Sequence, residues 1–308
     1  MRADPRDLAR RAKRRLKRLL GPPPPPQPTP TILGLSEIAE LPRDELEQAC
    51  RRLATPVYAG KGVTLSRMLT RYKIYLDSED RDFGAHLLMD GYWESWVTQF
   101  VARTIRPDWI VADIGANHGY YSLLLADLVG PGGQVTAIEP HPGNVRLLER
   151  TLALNGFSAR TRVCAVAAGE CRKEEASLMV PRFSPGQGEV DPIVPRSPDH
   201  DVFKVPVDRL DSLLRSDSRI DFLKIDSEGS EDRVIEGMDG IFATQRPAIL
   251  MEFGAVRYRD PAALVGRLVQ LYGKVSQIGF DGHAFPVDPA RLLDERIGEE
   301  RMLFLEGS

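Results

Sequence analysis

The stretch Trp109-Ile-Val-Ala-Asp-Ile-Gly-Ala-Asn-His-Gly119 decides the fold of this chain of 308 residues. Apolar and small residues lead into Asp113, glycines follow at Gly115 and Gly119, and a second apolar run comes after them. A turn of this kind lets the backbone approach a ligand, because glycine has no Cβ and tolerates positive φ. The stretch therefore predicts a buried strand, a ligand-binding turn and the N-terminus of a helix.

The residues of the turn indicate which cofactor it binds. A dinucleotide fingerprint reads G-x-G-x-x-G, whereas this turn reads G-x-N-x-G, with Asn117 in the middle. Asp113 would repel a pyrophosphate but would attract the ammonium group of S-adenosylmethionine. The second predicted strand ends in Glu139, which can accept hydrogen bonds from both ribose hydroxyls. The pattern therefore favours S-adenosylmethionine, and a dehydrogenase is the disfavoured alternative.

Three motifs occur in order along the chain: Asp113-Ile-Gly-Ala-Asn-His-Gly119, Ile138-Glu-Pro-His-Pro142 and Phe222-Leu-Lys-Ile-Asp-Ser-Glu-Gly-Ser-Glu231. Together they resemble the FkbM family of S-adenosylmethionine-dependent methyltransferases, over roughly residues 90–255. The resemblance implies an α/β fold, a Rossmann-like, seven-stranded class I methyltransferase sheet with helices on both faces. It also implies S-adenosyl-L-methionine as the cofactor.

Composition bounds the class of protein. The chain is 42% hydrophobic and 28% charged, as in ordinary soluble proteins. A net charge of −3 gives no electrostatic reason to expect nucleic-acid binding. The three cysteines show no metal-type spacing, which suits a reducing cytoplasm. No stretch is long and apolar enough for a membrane span, and no apolar segment follows the basic N-terminus as in a Sec signal peptide.

Residues 1–35 form a segment of their own. Residues 1–20 carry nine basic side chains and leucines at helical spacing, and a proline-rich run follows at 21–30. This composition predicts a basic amphipathic helix on a stiff spacer. A solvated tail, peripheral contact with an anionic membrane such as the inner membrane surface, and contact with another partner all remain open.

The rest of the chain divides into two predicted parts. Residues 36–105 carry helical patterns and short strand-like runs, and predict an N-terminal helical cap. From residue 106 to 308, strands and helices alternate, which predicts the S-adenosylmethionine-binding domain with a parallel sheet. Residues 180–200 are rich in proline and glycine and predict a long loop, of the kind that often forms a lid.

Acidic residues stand at the ends of the predicted strands, where ligands bind in open α/β sheets. Asp113, Glu139, Asp226 and Glu252 occupy four such ends, and the interpretation places no lysine or arginine among them. A cluster of like charges does not stabilise a fold. It does suit a site that binds the positively charged sulfonium. The predicted cofactor-binding set is Asp113, Gly115, Ala116, Asn117, Gly119, Glu139, Pro140, Ala165, Val166 and Asp226, and the family resemblance adds Glu94.

Methyl transfer needs alignment of the acceptor and removal of a proton from it. Asp226 and Glu228 are the predicted catalytic residues, with Glu252, His141 and His118 next in line, while Glu231 reads as a helix-start residue. No metal site is predicted, and a divalent cation on Asp226, Glu228 and Glu252 is the disfavoured alternative.

The expected reaction is O-methylation of a hydroxyl of a sugar, a glycan or a secondary metabolite, which is what the resemblance implies. N-methylation of a small molecule or protein is the alternative among enzymes. A catalytically silent S-adenosylmethionine-binding interaction protein is the alternative of another class. The sequence does not reveal the oligomeric state.

Overall fold

The computed structural model describes residues 31–191, 198–214, 218–294 and 301–307. The predicted amphipathic helix and proline spacer of residues 1–30 lie outside this part of the chain. The chain from Ile32 onward forms one compact unit. Among the described residues, no helix has the length and apolar character needed to cross a membrane.

The N-terminal part contains both helices and strands. Pro42 divides the first helical pattern, so that α1 (Leu35–Glu40) and α2 (Arg43–Leu53) are separate helices. An antiparallel three-stranded sheet follows, with β1 (Val57–Gly60), β2 (Val63–Met68) and β3 (Tyr72–Asp77) in sequence order. Two further helices, α3 (Phe83–Asp90) and α4 (Ser95–Thr104), complete this part. Its apolar residues join the hydrophobic core of the following sheet domain.

The first half of the main sheet has the predicted strand–turn–helix order. Its elements are β4 (Ile110–Ile114), α5 (Tyr120–Leu128), β5 (Gln134–Ile138), α6 (Pro142–Leu154) and β6 (Thr161–Cys164). The strands pair in parallel, β4 with β5 and β5 with β6. All but the first residue of β4 are buried, as expected for a parallel strand covered on both faces.

A second small sheet flanks the predicted loop at 180–200, and one short strand of this sheet lies within the loop. It contains β7 (Ala167–Ala168), β8 (Lys173–Pro181), β9 (Glu189–Val190) and β10 (His200–Asp208), in the spatial order β7-β10-β8-β9. The strands take up only residues 180–181, 189–190 and 200 of the predicted loop, and residues 182–188 are a connection between strands. The long antiparallel pairing of β8 with β10 holds the chain in a ribbon here.

The second half of the main sheet begins after the short helix α7 (Leu210–Leu213). It comprises β11 (Phe222–Ile225), α8 (Glu231–Glu236), α9 (Asp239–Thr244), β12 (Ala248–Phe253), α10 (Pro261–Tyr272), β13 (Ser276–Ile278), β14 (Ala284–Pro286), α11 (Pro289–Leu293) and β15 (Arg301–Leu305).

The complete main sheet has the order β14-β13-β15-β12-β11-β4-β5-β6. β15 lies antiparallel to both β12 and β13. These strands include the seven of the predicted class I sheet, and the short β14 adds an eighth strand as a hairpin on β13. From β4 the chain continues to β5 and β6 on one side of the sheet and then crosses to β11 and β12 on the other side. The strand order therefore reverses between β4 and β11, and ligands bind at such a point in open α/β sheets.

Candidate active site

A cavity of about 330 Å³ opens at the carboxyl ends of β4, β5, β11 and β12. Its volume lies within the range of small-molecule sites. Most of the predicted site residues line it: Glu94, Asp113, Gly115, Ala116, Asn117, Glu139, Pro140, Asp226 and Glu228. The sheet therefore brings together residues that are up to 134 positions apart, since Glu94 and Glu228 share one cavity.

Three predicted cofactor residues lie away from the cavity wall. A Cβ on Gly119 would stand 2.8 Å from a methyl carbon of Leu148, so this glycine permits close packing of α5 on α6. Ala165 is exposed and Val166 is buried in the core. The wall on this side is formed by the pair 167–168, because β6 ends at residue 164 and the chain then turns into β7.

The glycine turn passes very close to the end of β11. Gly115 has φ +77°, and a Cβ there would lie 1.7 Å from the backbone oxygen of Asp226. The backbone N–H groups of Gly115 and Ala116 both donate to the carbonyl of Ile138, at 3.0 and 3.1 Å. The turn is thus fixed between the two neighbouring strands of the sheet and forms the floor of the cavity.

Glu139 is buried at the end of β5 and organises the backbone around it. Its Oε2 accepts a hydrogen bond of 2.8 Å from the N–H of Asn117, and its Oε1 accepts one of 2.8 Å from the N–H of His141. Burial raises the pKa of Glu139 to about 7, although these backbone hydrogen bonds favour the ionised form. A carboxylate has about four acceptor positions, so capacity for a ligand remains.

Asp113 is buried at the end of β4, with a relative exposure of 1%. Its Oδ2 accepts a hydrogen bond of 2.6 Å from the hydroxyl of Ser122, whereas its Oδ1 has no hydrogen-bond partner among the residues that the structure describes. Burial raises the pKa of Asp113, opposed by the nearby charge of Lys224 and by the serine hydroxyl. An unpartnered, buried carboxylate oxygen on a cavity wall is where a cationic ligand group would bind.

The sequence interpretation was wrong about the absence of basic residues. Lys224, in the middle of β11, is buried on the cavity wall, and its Nζ lies 2.9 Å from Oδ2 of Asp226 and 3.8 Å from Oδ1 of Asp113. Burial opposes its charge, but the two carboxylates outweigh this and raise its pKa. Lys224 lies between the apolar residues Leu223 and Ile225 of the third motif. Its position inside a buried strand is the signal that the sequence interpretation missed.

A second cation lies at the other side of the same edge. Nη1 of Arg257 is 2.8 Å from Oε2 of Glu252 and 3.5 Å from Oε2 of Glu228. Burial, together with the charges of neighbouring acids, raises the pKa of Glu252 well above its usual value. The edge is therefore a mixed ionic network in which acidic residues outnumber basic ones.

Glu231 lies at the first position of α8, as predicted. Its carboxylate accepts hydrogen bonds from the N–H groups of Ser227 and Gly229, at 2.6 and 3.1 Å. Carboxylate oxygens of Asp226, Glu231 and Glu252 lie within 4.8 Å of one another, a spacing that a cation could bridge. Because the carboxylate of Glu231 already accepts hydrogen bonds from the backbone of the turn, its role is to hold the loop 227–229 in place.

The two predicted reserve histidines have different positions. His118 is fully buried beside Phe83, and burial lowers its pKa to about 3, which keeps the ring neutral. His141 precedes α6, and its Nδ1 accepts from the N–H of Asn144 at 3.3 Å. It caps the helix, and its ring also lines the cavity.

Residues 182–188, which connect β8 to β9, close one side of the cavity. Gln187 donates to Oδ2 of Asp82 at 2.8 Å, and the carbonyl of Pro185 accepts from the amide of Asn144 at 3.1 Å. Residues 184–188 line the cavity. This segment therefore has the place that the sequence interpretation gave to a lid.

Comparisons with known proteins agree with this geometry. Residues 113–281, more than half of the chain, match the Methyltransferase FkbM domain. The protein thus belongs to the FkbM methyltransferase family. The resemblance seen in the sequence and the predicted fold class are confirmed.

One curated relative is the AMB antimetabolite synthetase AmbE of Pseudomonas aeruginosa, 25% identical over 228 residues. The match covers 62% of this chain and 10% of the relative, so the chain spans about a tenth of that protein's length.

Two solved structures are among those to which the chain shows some similarity. TYW2 of Pyrococcus horikoshii, in complex with MeSAdo, has 15% identity and a TM-score of 0.41, covering 81% of this chain and 72% of that one. A SAM-dependent methyltransferase of Aquifex aeolicus has 11% identity and a TM-score of 0.35, covering 65% and 84% of the two chains.

Proposed function

We propose that this enzyme O-methylates a hydroxyl of a sugar or glycan, or of a secondary metabolite. The observation that carries the proposal is that the carboxylates Asp113 and Glu139 line the same cavity as Asp226 and Glu228. The first pair suits the cofactor, and the second pair suits an acceptor with a proton to lose.

In this proposal Asp113 binds the methionyl ammonium, Glu139 binds the ribose hydroxyls, and the turn 115–117 supports the ribose and methionyl group. The residues present fit such a ligand, because Oδ1 of Asp113 has no hydrogen-bond partner among the described residues and the turn 115–117 lines the same cavity. Ile138, Pro140 and the pair 167–168 supply apolar wall for the adenine. When bound, S-adenosylmethionine supplies a methyl group on a positively charged sulfur.

The acceptor is proposed to lie against Asp226 and Glu228. Oδ2 of Asp226 is held by Lys224, so Oδ1 is the oxygen that would receive a proton. Glu228 adopts φ +54° beside Gly229, a left-handed conformation that turns the loop sharply at the cavity wall. Glu94, from the N-terminal part, lines the same cavity and accepts a hydrogen bond from the Tyr121 hydroxyl at 3.2 Å.

The charges on this wall favour a neutral or cationic acceptor over an anionic one. Glu94, Glu228 and Glu252 all line the cavity, and Arg257 is paired with two of them. A hydroxyl compound fits this surface, and an amine would fit it too, so N-methylation of a small molecule or protein is the second candidate. A free carboxylate or phosphate close to these acids would be repelled.

The reaction is tested by incubating the purified protein with S-adenosylmethionine carrying a ¹³C methyl group, first with cell extract and then with purified sugars and glycans. A product heavier by one methyl group is expected, and the ¹³C chemical shift distinguishes an O-methyl from an N-methyl group. Transfer to nitrogen would favour the second candidate. Absence of transfer in every fraction, with cofactor binding intact, would support the catalytically silent alternative.

The proposed cofactor contacts predict a loss of affinity in two variants. Removal of a charge-assisted hydrogen bond typically costs about 1.5–3 kcal/mol, which is about 10- to 150-fold in Kd. Asp113→Asn and Glu139→Gln should each weaken S-adenosylmethionine binding to this extent in calorimetry. Asp127→Asn is the matched control, because Asp127 pairs with Arg71 away from the cavity. Unchanged affinity in both site variants would refute the assignment.

The raised pKa of Glu139 predicts that cofactor affinity depends on pH. With a pKa of about 7, the carboxyl group is mostly protonated at pH 6 and mostly ionised at pH 8. Ribose hydroxyls donate better to the ionised form, so affinity should increase about tenfold between these pH values. Glu139→Gln should remove most of this increase. A wild-type affinity that is flat or falls from pH 6 to pH 8 would contradict the prediction.

The basic segment at residues 1–20 is proposed to make peripheral contact with anionic membranes. Each basic residue near such a surface contributes on the order of 1 kcal/mol, screened by salt. Full-length protein should co-sediment with phosphatidylserine-containing vesicles at low salt, and deletion of residues 1–30 should abolish this without changing S-adenosylmethionine affinity. Neutral phosphatidylcholine vesicles are the control. A full-length protein that stays in the supernatant would show that the segment has another role.

A further inference from the structure

Two buried charges of opposite sign lie side by side on the cavity wall. Asp113 and Lys224 have relative exposures of 1% and 2%, and both line the cavity. They stand opposite each other in the parallel pairing of β4 with β11. Both charges therefore come from the rigid centre of the sheet and not from mobile loops.

Neither of these two groups uses its full hydrogen-bonding capacity. A lysine ammonium has three donors, and Lys224 makes one hydrogen bond, of 2.9 Å, to Asp226. Its distance of 3.8 Å from Oδ1 of Asp113 is too long for another, and within the described part of the chain that oxygen has no hydrogen-bond partner. The ring of Tyr121 covers the ammonium, with its centroid 4.8 Å away.

A buried ion pair with incomplete hydrogen bonding is a costly arrangement, because desolvation of both charges is only partly offset. A ligand that supplies both an anionic acceptor and a cationic donor would complete it. The head group of an α-amino acid has this form, since it carries an ammonium and a carboxylate on one carbon atom. Bound here, the four charges would alternate in sign.

We propose that Lys224 binds the carboxylate of the cofactor's methionyl group, while Asp113 binds its ammonium. The inference rests on the proposed placement of S-adenosylmethionine in this cavity, and it assigns a cofactor-binding role to a residue outside the predicted set. Asp226 then has a second function, because it holds the lysine side chain in place through Oδ2.

The test pairs a change in the protein with a change in the ligand. Wild-type protein is titrated by calorimetry with S-adenosylmethionine and with decarboxylated S-adenosylmethionine, which retains the ammonium and the sulfonium. We expect the decarboxylated ligand to bind about 10- to 100-fold more weakly, as for the loss of a charge-assisted hydrogen bond. In Lys224→Met the two ligands should bind with nearly equal Kd, because the partner of the carboxylate is gone.

Two controls separate this role from a purely structural one. 5′-Methylthioadenosine lacks the whole amino-acid group, and its affinity should be the same in wild-type and Lys224→Met protein. Lys73→Met, which changes an exposed lysine on β3, should leave all three affinities unchanged. A structural role for Lys224 would instead weaken all three ligands together.

The outcomes that overturn the inference are distinct from those that overturn the placement. Equal binding of the two S-adenosyl ligands by wild-type protein refutes the role of Lys224, even if the variant does not fold. An undiminished preference for the carboxylate in Lys224→Met refutes it as well. If Glu139→Gln binds 5′-methylthioadenosine as tightly as wild-type protein does, the cofactor's ribose lies elsewhere and the placement itself fails.

Discussion

Substitution of Gly115 by alanine is expected to abolish cofactor binding and to destabilise the protein strongly. The added Cβ would lie 1.7 Å from the backbone oxygen of Asp226, well inside van der Waals contact, and backbone atoms cannot move aside as a flexible side chain can. The φ of +77° is also unfavourable for any residue with a Cβ. Left-handed strain and overpacking together cost about 2–5 kcal/mol in the free energy of unfolding.

A second glycine separates the two causes. Gly156 has the same φ of +77°, but no atom lies within 4 Å of its added Cβ. Gly156→Ala should therefore show the conformational strain alone, about 1–2 kcal/mol, with S-adenosylmethionine affinity unchanged. Urea unfolding of both variants, followed by calorimetry on whatever remains folded, gives the comparison. Equal destabilisation in the two variants would show that the turn and β11 are not in contact as described.

The strand–turn–helix unit was predictable because its signals are local. A buried strand, positive-φ glycines and a helix start all lie within residues 109–128, and the structure has β4, the turn and α5 at these positions. The same is true of Glu231, whose place at the start of α8 follows from the preceding turn. Where neighbours in sequence determine the conformation, the sequence was sufficient.

The partners of Lys224 and Arg257 could not be found in this way. Lys224 meets Asp113 only because β11 and β4 pair in a particular register, with these two residues opposite each other. Arg257 comes after β12, and it reaches Glu228 across the sheet edge. The acidic residues could be predicted from their positions at the strand ends. The basic residues that offset their charge could not, because their contacts with these acids depend on how the strands pair.

The small sheet escaped prediction for a related reason. In β10, buried Val205 and Val207 alternate with exposed residues, which is a strand signal, but Pro206 between them reads as a strand breaker. Its partner β8 is separated from it by a connection that contains prolines and glycines. The ladder of β8 and β10 is long-range, so only the fold reveals that these two segments belong together.

Replacement of the two proposed catalytic acids should reduce turnover more than it reduces cofactor affinity. General-base assistance typically contributes about 10²- to 10⁴-fold, so at least one of Asp226→Asn and Glu228→Gln should lower kcat within this range. Both substitutions keep the shape of the side chain and remove its charge. Initial rates are measured with the acceptor identified by the ¹³C-methyl assay, and Kd for S-adenosylmethionine is measured in parallel. Glu236→Gln, an exposed position on α8, is the matched control.

The two variants should differ, because their carboxylates have different neighbours. Asp226 is tied to Lys224, so Asp226→Asn removes a counter-ion of the buried lysine and should also weaken cofactor binding moderately. Glu228 pairs at 3.5 Å with Arg257, whose shorter contact is with Glu252. Its loss should therefore leave Kd near the wild-type value. If both variants lose only cofactor affinity, the two acids belong to the binding surface. If neither changes kcat, Glu252 is the next candidate to replace, because it lines the same cavity wall.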